Sequence, residues 1–346
     1  MTQHIEFGLD TFGDVTVDGE GKVLSYAQVL RNVVDEGVLA DEVGLSFFGI
    51  GEHHRSDFAV SSPEVVLSAI AARTENIHLG SAVTVLSSDD PIRVFQRFST
   101  LDAVSNGRAE IIVGRGSFTE SFPLFGFAMN DYEQLFEEKL DLLSEVLTGA
   151  PVTWSGNIRP PLSNQVIFPP TESGTIKTWI GVGGSPQSVV RAAHYGLPLM
   201  LAIIGGDPLR FRPYVDLYND SLKKMGKSPL PVGQHSPGFV AATDELARDL
   251  AWPHYRDMHA RIGASRGWPP LTRGQFDMEA APTGALFVGS VETVAQKLAR
   301  TVQGLGIQRF DLKYSMGTLG HEHLMECIRL YGSEVVPRVR ELLAQA

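Results

Sequence analysis

The sequence predicts an α/β fold, a (β/α)8 TIM-like barrel with insertion loops, as a single domain over 1–346. Three observations carry that reading. Short apolar runs bounded by glycine, proline or polar residues recur about eight times. Several are apolar at nearly every position, as parallel strands covered on both faces must be. The segments between them have a helical period, and about eight alternations exceed the five or six strands that a doubly wound sheet usually needs.

The strand candidates, in order, are 5–12, 47–52, 77–86, 109–114, 178–183, 198–204, 238–242 and 309–314. Each is too short for a typical helix. Between them, Leu30, Val33, Val34 and Val38 repeat at helical spacing, as do Phe136, Leu140, Leu143 and Leu147, and later Val294, Leu298, Val302 and Leu305. Two stretches exceed what the barrel needs. Residues 150–178 carry five prolines, from Pro151 to Pro170, and 263–284 mix glycine with proline from Gly263 to Gly284. Both read as insertions, and 263–284, with little regular structure expected, reads as a lid before the last βα unit.

Composition narrows the function. The chain has 29 Lys+Arg against 40 Asp+Glu, a net charge of −11, which repels nucleic acid and anionic lipid at long range. Neither is an expected partner. No run approaches the ~18 apolar residues of a spanning helix, and Met1-Thr2-Gln3-His4-Ile5-Glu6 lacks the features of a secretion signal, so a cytoplasmic location is expected. The one cysteine, Cys327, lies at helical spacing from Leu324, Ile328 and Tyr331 and reads as a packed thiol.

In an α/β barrel the active face lies at the strands' C-terminal ends. Gly51-Glu52-His53-His54-Arg55 follows the second strand. Neighbours on a strand point oppositely, so one histidine at most is expected to enter the site, unless the whole motif is a polar strand end bonded to itself. His321-Glu322-His323 lacks the i, i+4 spacing of a helical zinc site, and no metal is expected. The 179–188 segment is a strand, a glycine turn and a helix start with Ser185 as cap and Pro186 at the first position. Free amides there suit an anion, or merely cap the helix. The dinucleotide pattern fails at Pro186, and the P-loop pattern fails because Ser221 stands five before Gly226-Lys227-Ser228. Gly114-Arg115-Gly116-Ser117 ends the fourth strand, where Arg115 suits either a phosphate or a rim salt bridge.

Taken in order, these motifs resemble the bacterial luciferase-like flavin-dependent monooxygenases, within the luciferase-like and F420 superfamily. The likeness runs through Glu52-His53-His54, residues 79–86 with Pro91-Ile92-Arg93, Asn106-Gly107-Arg108, Gly114-Arg115-Gly116, Phe125-Gly126, Gly184-Ser185-Pro186 and 192–198. It covers most of 5–206 and returns weakly at 287–317. The resemblance implies a barrel that binds reduced FMN or F420 at its strand ends and is commonly dimeric. It makes His53 the catalytic histidine and Arg115 the phosphate arginine. It makes Gly184, Ser185 and Ser188 further phosphate contacts, and Ala82, Val83 and Thr84 the segment under the flavin ring, with a cis peptide at Ala82–Val83. Gly114 stands where the luciferase proper has a cysteine, which argues against long-chain aldehyde chemistry and light emission.

The function this implies is a flavin-dependent monooxygenase that uses reduced FMN and O₂ to oxidise a small organic substrate, fed by a separate flavin reductase. The alternatives are an F420-dependent hydride transfer, a non-catalytic flavin-binding protein, and a metal hydrolase on the same barrel. A homodimer is expected through 64–74 and 91–105, where Val65, Val66, Ala69, Ile70, Val94, Phe95 and Phe98 offer surplus apolar surface.

Overall fold

The computed structural model describes residues 5–345. Eight parallel strands close on themselves: β1 (Glu6–Thr11), β2 (Phe47–Ile50), β3 (His78–Ser81), β4 (Ala109–Gly114), β5 (Lys177–Val182), β6 (Leu199–Ala202), β7 (Val232–Val240) and β8 (Arg309–Lys313). Closure is made by β8, which pairs with β7 through Gly233↔Arg309 and with β1 through Gly8↔Asp311. Around the barrel lie α1 (Tyr26–Glu42), α2 (Pro63–Ala71), α3 (Pro91–Val104), α4 (Tyr132–Val146), α5 (Pro186–Tyr195), α6 (Arg212–Lys224), α7 (Asp244–Ala264), α8 (Arg273–Ala280), α9 (Val291–Leu305), α10 (His321–Leu330) and α11 (Val336–Ala344). The fold is the (β/α)8 barrel that the alternating pattern calls for.

Capping fixes where the helices start. Ser25, Asp90, Ser185, Thr243 and Ser290 each accept from a backbone N–H two or three residues on, satisfying donors with no intrahelical partner. Cys327 is fully buried, accepts from the Val240 amide, and is pushed up to about 12 by that burial. It is a packed thiol.

β7 begins six residues before the expected strand, because its first half is polar in sequence. Period two explains this: Gln234 and Ser236 share one face, bonded to each other and to the Ile203 carbonyl, while Gly233, His235 and Pro237 take the inner face. In the 150–178 stretch, Val152–Trp154 and Leu162–Gln165 form an antiparallel hairpin. The 263–284 stretch holds more regular structure than expected, since α8 is set by a reciprocal Thr272/Gln275 cap. Val66, Ile70, Val94, Phe95 and Phe98 belong to the chain's own core, and of the apolar surplus only Val65 and Ala69 stay exposed. The sequence count had credited one helix face with residues that the barrel itself uses.

Inside the barrel, below the active face, the Arg309 guanidinium lies 3.6 Å from the centre of the Phe47 ring and 5.1 Å from that of Trp179. It donates to Glu110 and Asp311, and Trp179 Nε1 also donates to Glu110. Every one of these side chains is buried. Gly8 and Gly80 make the room, since a Cβ would come within 2.3 Å of the Asp311 carboxylate at the first and 2.6 Å of the Glu110 carbonyl at the second.

Candidate active site

A cavity of about 700 Å³ opens at the C-terminal ends of the strands. Its floor is the turn after β3, where the Ala82–Val83 peptide is cis. Val83 lies over β4 and β5, and glycines let it: a Cβ at Gly114 would stand 2.9 Å, and at Gly181 3.2 Å, from its methyl carbons. Ala82 and Val83 line the cavity; Thr84 is buried and does not.

One wall carries His53 among aromatic rings. Its ring centre is 4.5 Å from Phe12, 4.3 Å from Phe58 and 4.9 Å from Phe118. Burial among these rings, with Lys313, His54 and Arg55 nearby and only Asp14 opposing, lowers its pKa to about 3, so the imidazole is neutral at any working pH. His54 also borders the cavity, contrary to the pleat argument. The strand stops at Ile50: the Glu52 amide donates to the Val83 carbonyl and the His53 amide to that of Val60, so the alternation of a strand no longer applies. Glu52 holds His54 Nε2 at 2.8 Å and accepts from the Val85 amide. The self-bonded strand end thus describes Glu52 and His54, while His53 is left to the cavity.

Arg115 also lines the cavity. Its guanidinium is paired with Glu133 of α4 and lies 5.5 Å from the Tyr132 ring centre. The rim salt bridge therefore exists. Nearby, Arg191 of α5 pairs with Glu137 at 2.7 Å. Gly184, Ser185 and Ser188 sit at the start of α5, outside the cavity lining; Ser188 is buried and its amide donates to the Ser185 hydroxyl. Gly183 and Gly205 do line the cavity, and a Cβ on either would meet nothing within 4 Å. The open wall between β5 and β6 is made by these two glycines.

The roof comes from α7, α8 and the chain between them. Tyr255, Met258 and Ile262 face the cavity from α7, and Trp268 and Phe276 follow. Arg266 donates to the Ser117 carbonyl at 2.7 Å and lies 4.8 Å from the Phe118 ring centre, tying this roof to the β4 loop. Glu279 of α8 accepts from the Gly206 amide at 3.0 Å.

A third group was not foreseen. Asp10 and Lys313, from the ends of β1 and β8, line the cavity together with His235 from the middle of β7. Asp10 Oδ2 lies 2.5 Å from His235 Nδ1, and Lys313 donates to Asp14 at 2.9 Å. Burial opposes charge on His235, but Asp10, with Asp311 behind it, outweighs burial and Lys313 and raises its pKa. Asp10 was within reach of the strand-end rule, since it lies at the end of the first apolar run; His235 was hidden in the unrecognised half of β7. Among the described residues no group of three or more His, Cys, Asp or Glu is placed to hold a metal ion, and no helix is long and apolar enough to cross a membrane.

Comparison with known proteins supplies the family. The model of the luciferase-like monooxygenases matches residues 6–309. The alkanal monooxygenase alpha chain of the Kryptophanaron alfredi symbiont is 23% identical over 234 residues, 67% of this chain and 65% of that one. The fold is shared with monooxygenase RslO1 of Streptomyces bottropensis, at 22% identity and a TM-score of 0.82 over 96% of this chain and 99% of that one. It is shared too with the oxygenating constituent of 3,6-diketocamphane monooxygenase of Pseudomonas putida, solved with FMN, at 17% identity, a TM-score of 0.77, and 97% and 99% coverage. The F420-dependent tetrahydromethanopterin reductase of Methanopyrus kandleri follows at 18% identity, with a TM-score of 0.71 and the same coverage. With an aromatic cavity at the strand ends of such a barrel and a family match along most of its length, the chain is an enzyme of the luciferase-like monooxygenase family.

Proposed function

We propose that the chain is an FMN-dependent monooxygenase that uses reduced FMN and O₂ to oxidise a small organic substrate, taking its reduced flavin from a separate reductase and acting as a homodimer. The observation that carries this reading is the make-up of one cavity: an apolar floor at Ala82 and Val83, with an arginine, Arg115, and a neutral histidine, His53, in the same lining. The residues fit a flavin. The open wall at Gly183 and Gly205 leaves space for a flat ring over Val83, and Arg115 is the cation that would meet the phosphate, with the start of α5 at Gly184 and Ser185 beyond it.

When bound, reduced flavin supplies the electrons for oxygen activation. The chain's own part is positioning and exclusion. Phe12, Phe58 and Phe118 keep water from His53, whose neutral imidazole can hold a hydrogen bond at the reacting centre. The roof tied by Arg266 covers part of the cavity mouth.

F420 is the second reading, since a relative in fold uses it. Its acidic tail would need a basic channel, whereas Arg115 and Arg191 are each already matched by a carboxylate of α4. Titration with FMN, reduced FMN and F420, followed by oxygen-uptake assays, tests the choice. Reduced FMN is expected to bind tightest and to support O₂ consumption. Tighter binding of F420, with hydride transfer and no oxygen uptake, would replace this reading with the second.

A further inference from the structure

The cavity has a second histidine with its own carboxylate, and the chemistry of that pair identifies the kind of molecule the cavity takes. A carboxylate only accepts, so the 2.5 Å contact has His235 Nδ1 donating to Asp10 Oδ2. This fixes the ring and leaves Nε2 as the nitrogen available to the cavity. Among the described residues His235 makes no other side-chain hydrogen bond. Asp10 is 1% exposed and its Oδ1 has no hydrogen-bond partner, so the carboxylate relies on His235 to balance it.

The other charged groups facing this corner are already committed. Lys313 donates to Asp14 and to the Ser315 carbonyl, and Asp14 also accepts from Ser315 Oγ and the Gly317 amide. Asp311 is held by Arg309. The Asp10 carboxylate favours a second proton on the ring, and in that protonated form His235 Nε2 presents an unspent, charge-assisted donor to the cavity. The apolar side of the same corner is aromatic: Phe12 lies nearly parallel to the His235 ring at 6.2 Å, and continues through Phe58 and Phe118.

We propose that the His235–Asp10 pair anchors an acceptor oxygen, and that the substrate is an aromatic molecule bearing a phenolate or conjugated carbonyl oxygen, held with its ring against Phe12, Phe58 and Phe118 and its oxygen on His235 Nε2. This deepens the monooxygenase reading only in taking this cavity as the substrate site. An aliphatic chain would leave the Nε2–H unpaired once water is excluded, at the cost of burying an unsatisfied donor. A phenolate or enone oxygen satisfies it. His53, neutral and without a carboxylate partner, is free to serve the reacting atoms instead.

The test uses 4-nitrophenol, whose phenol and phenolate forms differ in colour, bound to the flavin-free full chain across a pH series. An imidazolium beside the oxygen lowers the probe's pKa, so bound probe is expected to be about tenfold richer in phenolate than free probe at the same pH. His235→Gln should abolish that enrichment, and Asp10→Asn should reduce it at lower pH than in the parent, because His235 then loses its proton earlier. FMN affinity of the same variants is measured separately and reports that the barrel is intact. Enrichment that survives in both variants, or no binding of 4-nitrophenol by the parent chain, overturns the proposal. Intact enrichment in a chain that binds neither FMN nor F420 would sustain it while removing the flavin reading alone.

Discussion

Arg115 and Glu133 are ion-paired across the gap between the end of β4 and the start of α4, so the cation at the cavity rim carries its own anion. A phosphate arriving at Arg115 competes with that carboxylate. Arg115→Ala is expected to weaken FMN binding by ~1.5–3 kcal/mol, the worth of a hydrogen bond to a charged group. Glu133→Gln should tighten it, because the competitor is gone. Calorimetric titration of both variants checks the pair of opposite signs; the same sign in both would place the phosphate elsewhere.

His53→Ala should leave flavin affinity unchanged and lower turnover by ~10²–10³, the usual worth of a positioned hydrogen-bonding group at the reacting centre. Its pKa near 3 adds a sharper expectation: the pH profile of the parent shows no inflection from His53 in the range where the enzyme is assayed. An inflection from His235, above the ordinary imidazole value, should instead move down in Asp10→Asn, since Asp10 raises His235. Steady-state rates across pH for the parent and both variants make the comparison.

Lys297 of α9 is buried, donating to the Leu286 and Glu279 carbonyls, and burial lowers its pKa to about 7. In the unfolded chain the same amine titrates near ~10.4. Between these values the unfolded state holds a proton that the folded state has released, so this residue makes stability rise as pH increases from about 7 towards 10. Lys297→Met should remove that rise. Urea midpoints of parent and variant over this range are expected to diverge with increasing pH, and parallel curves would contradict it.

Removing Arg309 leaves Asp311 a buried carboxylate without its cation and leaves Glu110 only the more distant Lys177, at 3.4 Å, and His78. Arg309→Ala should cost about 3–5 kcal/mol of stability, on the scale of breaking a buried ion pair from one side. Raising Glu110's pKa in this way should also make the loss smaller at low pH, because Arg309 is the largest influence that holds it down against burial. Denaturant melts at neutral and acid pH test both statements.

Much of the barrel was legible because apolar runs and helical stripes record which faces are covered. The Leu30, Phe136 and Val294 stripes fall on α1, α4 and α9 as read. β7 was half lost because its inner face carries Gly233, His235 and Pro237, residues chosen by the cavity and the lumen and not by a hydrophobic core. The site was legible where a motif marks a strand end, at His53, Val83 and Arg115. Pairings such as Asp10 with His235 join residues 225 apart in sequence, and no local spacing announces them.

The packed lumen has a consequence for traffic. Because Arg309, Phe47 and Trp179 plug the barrel beneath the floor, nothing passes through it, and every molecule enters and leaves by the rim under the α7–α8 roof. A vessel with one opening imposes a queue. A flat ring settled on Val83, as proposed, would then have to bind before any substrate stacked on its outer face and leave after it.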